Sequence, residues 1–256
     1  MPRYFIEVSY KGTVYSGFQS QQNANTVQAE VEKAINILFH LPSMQRGEGQ
    51  GVRLTGSSRT DTGVHALQNF FHLDYEKELN LHFIYKLNAI LPEDIVIKAI
   101  TLVSDEAHCR FDAISRRYNY HIYRYKDPFI KEQAFFFPYK LDMQKLQQAA
   151  AILKEYNDFT SFSKRNTQVK TFQCQIIESN WLLQDNYLVY NVKANRFLRG
   201  MVRALTATML KVGREKISIE EFRDIIEAKD CTKASFAVPA HGLFLMQVEY
   251  PKGIIN

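Results

Sequence analysis

At 256 residues, with 46% hydrophobic composition, the chain can bury a sizeable core as one large domain or two similar ones. Its 32 Lys and Arg against 27 Asp and Glu give a formal charge of +5, which mildly favours polyanionic partners without identifying one. No apolar run approaches the roughly 20 residues that span a bilayer, Met1-Pro2-Arg3-Tyr4-Phe5 lacks the apolar core of a signal peptide, and Cys109, Cys174 and Cys231 form no CxxC pair, so a cytoplasmic protein with reduced thiols and no membrane segment is expected.

Residues 4–10 alternate as a strand, and Thr26 then caps a run whose Val27, Val31, Ala34, Ile35 and Leu38 fall at helical spacing. Strands are predicted over 52–57 and 67–73, a helix over 81–91, and strands over 95–102 and 117–125. Asp127-Pro128 is a turn signal, after which the theme repeats. A helix is predicted over 142–155, strands over 172–182 and 187–194, helices over 197–212 and 219–228, and a last strand over 243–250. The pattern is α+β, in two halves, 1–127 and 128–256, each a mainly antiparallel sheet with helices on one face. No linker rich in Gly, Ser or Pro separates them, so they are expected to form one body with a cleft between the halves as its natural active site.

Three segments carry side chains suited to chemistry. Gly56-Ser57-Ser58-Arg59-Thr60-Asp61-Thr62-Gly63-Val64-His65-Ala66 follows a predicted strand and packs polar groups between glycines, as functional loops do. If its centre is extended, Arg59 and Asp61 project to one side, either as a working pair or as an ion pair bracing a turn. In Ser115 to Tyr125, aromatic and basic residues interleave, with Arg116, Tyr118 and Tyr120 on one face. That face could hold bases and phosphates, or be a half-buried strand with amphipathic tyrosines. On the predicted helix from Phe197, Leu198, Val202, Leu205, Met209 and Val212 form an apolar stripe opposite Arg196, Arg199 and Arg203. The nearest carboxylates along the chain, Asp185 and Glu215, are beyond helical pairing, which leaves these arginines to an external anion, a distant carboxylate or solvent. The histidines show no HxxxH or HExxH spacing, so no metal is expected.

In order along the chain, Tyr10-Lys11-Gly12-Thr13, Gly17-Phe18-Gln19, Thr26-Val27-Gln28, Arg59-Thr60-Asp61-Thr62-Gly63-Val64-His65-Ala66, His108-Cys109-Arg110-Phe111, Arg116-Arg117-Tyr118-Asn119-Tyr120, Asn195-Arg196-Phe197-Leu198-Arg199-Gly200-Met201-Val202-Arg203 and Pro239-Ala240-His241-Gly242-Leu243 resemble the TruA family of tRNA pseudouridine synthases. The resemblance implies that Asp61 is the catalytic aspartate, that Arg59 helps displace the target nucleotide, that Tyr118 packs against the target base, and that Arg203 pairs with Asp61. It also implies the pseudouridine synthase fold around an RNA-binding cleft, a homodimer, and the tRNA anticodon stem-loop as substrate. Lys11, Phe18, Ser58, Cys109, Ala207 and Cys231 depart from the family's usual Asp, Trp, Gly, Ala, Gly and Arg. Ser58 bears on the loop most, because glycine tolerates positive φ and serine resists it.

The implied reaction is an isomerisation that consumes no redox equivalent, so no cofactor is expected, and one carboxylate suffices because uracil itself returns to the sugar. An idle RNA-binding protein would need the basic and aromatic segments but not Asp61. A metal-dependent nuclease would need clustered acidic ligands that the sequence does not offer.

Overall fold

The computed structural model describes residues 1–39, 51–165, 169–184 and 187–255. The chain divides into two compact units, Met1–Ile114 with Leu245–Asn256, and Ser115–Phe244. Compactness thus groups the strand that begins at Ser115 with the second unit and returns the C-terminal strand to the first, where a division by chain order runs at Asp127-Pro128.

In the first unit, β1 (Arg3–Tyr10) pairs antiparallel with both β3 (His65–Asp74) and β4 (Ile95–Val103), and a short β2 (Thr55–Gly56) lies antiparallel on β3. The last strand, β9 (Leu243–Glu249), is the other neighbour of β3. The predicted strand over 52–57 contracts to two residues, Thr55 opposite His72 and Gly56 opposite Phe71, with the Ser57 N–H still donating to Phe70 O at 2.8 Å. Helix α1 (Val27–Leu38) starts where Thr26 Oγ1 accepts the Ala29 N–H at 3.3 Å, and it buries Val27, Val31, Ala34 and Ile35 at the predicted spacing. Burying each of its three β-branched side chains contributes about 1.5–3 kcal/mol. Helix α2 (Leu81–Ile90) is capped by the Asn80 side chain.

In the second unit, β5 (Ser115–Tyr123), β8 (Tyr187–Ala194) and β7 (Ile176–Gln184) form an antiparallel sheet in that spatial order, with a short β6 (Phe135–Phe136) parallel to β5. Helices α3 (Met143–Ile152), α4 (Met201–Gly213) and α5 (Ile219–Glu227) accompany it. A capping box between Ser218 and Glu221 starts α5. Helix α4 is buried around most of its circumference, and a Cβ at Gly213 would lie 2.8 Å from the Leu146 side chain, so α3 and α4 pack closely there.

The predicted helix over 197–212 begins four residues later than its apolar spacing suggests. Gly200 adopts φ +75° and serves as the N-cap of α4, while the Met201 N–H closes a turn onto Leu198 O at 3.1 Å. Arg196 and Arg199 therefore stand in the approach to α4, and only Arg203 of the three arginines lies on the helix. Asp185 lies outside the described residues.

Candidate active site

The loop between β2 and β3 carries Arg59 and Asp61, and the opening segment of the chain holds its shape. The Thr60 hydroxyl lies 2.7 Å from Tyr10 Oη, and Thr60 O accepts the Phe18 N–H at 3.1 Å, so Thr60 is fixed at both ends. Asn69 on β3 clasps the loop's other shoulder, accepting the Ser58 N–H through Oδ1 at 3.2 Å and donating from Nδ2 to Ser58 O at 2.9 Å. With Thr60 buried, Arg59 is exposed and Asp61 is partly buried, as alternation of side chains along an extended stretch requires.

Beyond Asp61 the chain turns at once. The Val64 N–H donates to Asp61 O at 3.2 Å, and Gly63 has φ +77°, the positive value a type II turn needs at its third position. Close approach by two further glycines completes the mould. A Cβ on Gly12 would sit 2.0 Å from Val64 O, and one on Gly17 would sit 2.9 Å from Thr60 O, with Gly17 itself at φ +105°. The Gly12 N–H donates to Nδ1 of buried His65 at 3.0 Å, tying the two segments together again. Phe18, in the position of a usual tryptophan, stacks on Phe71 at 4.5 Å and closes the core beneath the loop. Ser58 is not among the residues with positive φ, so its side chain imposes no backbone strain on the path to Asp61.

In the second unit, Arg116, Tyr118 and Tyr120 do alternate onto one face of β5, but that face is the buried one. Tyr120 is fully buried and donates its hydroxyl to Pro239 O at 2.7 Å, and burial raises its phenol above the ordinary range. Tyr120 is therefore a core residue, and the face is no open platform for bases. Tyr118 keeps 9% exposure and meets Phe197 edge-on, with ring centroids 5.1 Å apart. Arg116 donates to Asn195 O at 3.2 Å, and Arg117 on the other face forms a bidentate pair with Glu178 at 2.7 and 2.8 Å. Arg203 commits Nε and Nη2 to Val238 O at 3.0 and 2.7 Å. Arg196 is partly buried and Arg199 is exposed.

Sequence spacing did not disclose Tyr10, Gly12, Gly17, His65 and Asn69 as the supports of the Asp61 loop. The signal was there in the two short Gly-containing stretches before Thr26, whose partners lie about 50 residues away along the chain. One further cluster emerges from the fold: ligand atoms of His72, His108 and Cys109 lie within 4.8 Å of one another. Nδ1 of His72 accepts the Cys109 N–H at 3.2 Å, Nδ1 of His108 accepts the Arg110 N–H at 3.1 Å, and Cys109 Sγ donates to Thr55 O at 3.1 Å. These bonds leave each ring proton on Nε2 and the thiol proton on sulfur, so the cluster is built as a hydrogen-bonded bracket rather than as a set of free lone pairs. Burial lowers His72 to about 4.

Compared with known proteins, the chain matches the model of the tRNA pseudouridine synthase family over residues 6–112 and 149–251. It is 44% identical over 254 residues to a tRNA pseudouridine synthase A of Parabacteroides distasonis, spanning 98% of this chain and 97% of that protein. A protein of the same name from Porphyromonas gingivalis is 44% identical over 259 residues, covering 99% of both. One from Staphylococcus carnosus is 35% identical over 260 residues, covering 99% of this chain and 93% of its own.

Proposed function

The chain belongs to the tRNA pseudouridine synthase family, and on that premise we propose that it isomerises uridine to pseudouridine in the anticodon stem-loop of tRNA, with Asp61 as the essential carboxylate. The observation that carries the reading is the Asp61 loop, fixed on three sides by Tyr10, Asn69 and two glycines at backbone contact. A side chain held by so many contacts to its neighbours is placed reproducibly, which is what catalysis by one carboxylate requires.

The reaction breaks the bond from ribose C1′ to uracil N1, turns the ring and joins C1′ to C5. The C5 proton leaves and N1 gains one, so the exchange balances with no oxidant, reductant or energy source. Asp61 acts ionised whether it attacks C1′, adds to the base or takes a sugar proton. Extruding the uridine costs a few kcal/mol, offset by contacts to the rest of the RNA. In the proposed assignment exposed Arg59 helps displace the nucleotide, Tyr118 packs against the target base, and Arg116, Arg196, Arg199 and Arg203 serve anion recognition. The assignment includes no cofactor and no metal, a homodimer, and action in the cytoplasm, where tRNA is found.

The test is release of C5 hydrogen from tRNA labelled at that position, with chain integrity checked on a gel. Release without cleavage is the expected outcome. Binding without release would leave an RNA-binding protein, and cleavage would indicate a nuclease.

A further inference from the structure

We propose that Gln28, one turn before Glu32 on α1, is a positioning residue for the Asp61 loop: its side-chain amide ties together two stretches of chain that hold the loop, and so sets where the carboxylate stands. The proposal rests on the reading of Asp61 as the working carboxylate, because placement is what such a group needs.

Gln28 is buried on α1 together with Val27 and Val31, where an apolar side chain would fill the space without desolvating an amide. The amide is fully employed. Its Oε1 accepts the Ser20 N–H at 3.1 Å, and its Nε2 donates to Leu54 O and to Glu32 Oε1, both at 2.8 Å. Glu32 Oε1 also accepts the Leu54 N–H at 2.9 Å. Leu54 therefore has both its backbone groups bonded to side chains of α1, as a neighbouring strand would bond them. One turn further on, Asn36 Oδ1 accepts the Val52 N–H at 2.9 Å. Residues 28, 32 and 36 share one face of the helix by their spacing of four, and that face serves as the ladder for residues 52–54.

What these bonds hold is the approach to Asp61 from two sides. Leu54 leads directly into β2 and from there into the loop. Ser20 ends the stretch whose Phe18 N–H donates to Thr60 O at 3.1 Å, and Phe18 O in turn accepts the Gln28 N–H at 2.9 Å. The Phe18 ring also covers Gly56, where an added Cβ would stand 2.4 Å from Phe18 Cε1. One amide thus joins the residue before the loop to the stretch that grips Thr60 inside it. Removing the amide takes these partners from Leu54 O and the Ser20 N–H and uncouples the two stretches at that point.

The experiment compares the wild type with Gln28→Met, which keeps the length of the side chain and loses its three bonds. The control is Gln147→Met in the second unit, where Gln147 on α3 clasps Trp181 in the same manner, accepting its N–H at 2.8 Å and donating to its O at 3.0 Å. Melting is recorded for each protein, and rates are measured well below it. Single-turnover release of C5 hydrogen at saturating enzyme should fall about tenfold in Gln28→Met, with tRNA affinity within about twofold of the wild type, and should hold in Gln147→Met. Glu32→Gln, whose amide oxygen can accept both bonds, should keep a rate near the wild type. Backbone hydrogen exchange over residues 54–64 should quicken in Gln28→Met and not in the control. A Gln28→Met rate equal to that of the control, or unchanged exchange over those residues, overturns the proposal. If Gln28→Met does not fold, Glu32→Ala, which removes the acceptor shared by Leu54 and Gln28, is read by the same two measures. If the wild type itself releases no C5 hydrogen, the reaction assignment fails and the exchange comparison alone decides the positioning.

Discussion

The hydroxyl groups of Tyr10 and Thr60 meet at 2.7 Å in a buried contact that joins the end of the first strand to the residue next to Asp61. Tyr10→Phe removes that bond while keeping the ring that stacks against Phe18 at 5.6 Å. It leaves Thr60 Oγ1, 8% exposed on its residue, short of a partner, at a cost of about 1–2 kcal/mol. Melting should fall by a few degrees. Single-turnover release of C5 hydrogen should fall further, about tenfold, because the bond positions the neighbouring carboxylate. Loss of stability with an unchanged rate would mean that the bond serves the fold alone.

Gly12 makes the tightest contact on the loop. With Val64 O 2.0 Å from its would-be Cβ, Gly12→Ala cannot be absorbed by a rotamer change, since the atoms it would meet are all backbone atoms of Val64. The Val64 end of the Asp61 turn must move or the turn that follows β1 must. We expect destabilisation above about 2 kcal/mol, read from denaturant midpoints, together with a loss of turnover greater than that of Tyr10→Phe. A variant as stable and active as the wild type would show that the loop yields freely.

What the sequence disclosed and what it hid follow from range. Helix α1 with its Thr26 cap and the spans of β1 and β8 are local patterns and stand where the spacing predicts them, although Phe5 is buried on β1 along with Tyr4 and Ile6 and so breaks the strand's alternation. Spacing does not locate the start of α4, because Leu198 is buried at helical spacing from Val202 and so extends the apolar stripe past a break that Gly200 makes in the backbone. The same stripe places Arg196 and Arg199 on a helix face, whereas both precede α4. Tyr120 alternates correctly with Tyr118, yet spacing cannot say which face of a sheet meets the core, and here it is the tyrosine face. The motif around Asp61 stands out in the sequence as polar groups between glycines, while its supports pair residues such as Tyr10 and Asn69 that only the fold brings together.

His72 gives the first unit a pH signature. Burial lowers its folded pKa to about 4, against about 6.5 in the unfolded chain. Above pH 6.5 both states leave it neutral and it costs nothing. As pH falls from 6.5 towards 4 the unfolded chain takes up the proton first, so stability is lost, by about 2 kcal/mol at pH 5 from this group. His72→Asn retains an acceptor for the Cys109 N–H without a titrating ring. The difference in unfolding free energy between wild type and variant should therefore shift by about that amount between pH 7 and pH 5. A constant difference across the range would show that the ring charges freely in the native state.

Tyr118 meets Phe197 edge-on and keeps only 9% exposure, so it offers an edge to a ligand while its packing is already set. Tyr118→Ala removes a ring proposed to hold one extruded base, whereas contacts to phosphates elsewhere persist. Turnover of bound tRNA should drop about a hundredfold with affinity reduced far less. Tyr118→Phe should keep the packing against Phe197, and it separates the ring from the hydroxyl. Equal losses of affinity in both variants, with normal single-turnover rates, would remove Tyr118 from the chemistry.

Asp61 carries the assignment, and two substitutions divide its charge from its position. Asp61→Asn removes the charge at nearly constant volume, and Asp61→Glu keeps it but moves it by one methylene. The loop is fixed by the Tyr10, Phe18 and Asn69 contacts to Thr60 and Ser58 and by backbone at Gly12 and Gly17, none of which uses the Asp61 side chain. Both variants should therefore fold and bind tRNA. The same rigidity denies the glutamate any compensating shift of the backbone, and a misplacement of about 1 Å can cost roughly 10²-fold in rate. We expect Asn to be inactive and Glu to be impaired by at least that factor, measured as single-turnover C5-hydrogen release at saturating enzyme with melting followed in parallel. If the carboxylate only braced the turn, Glu would retain much of the activity and Asn would melt early. A well-folded Asp61→Asn variant with near wild-type release would exclude Asp61 from the reaction.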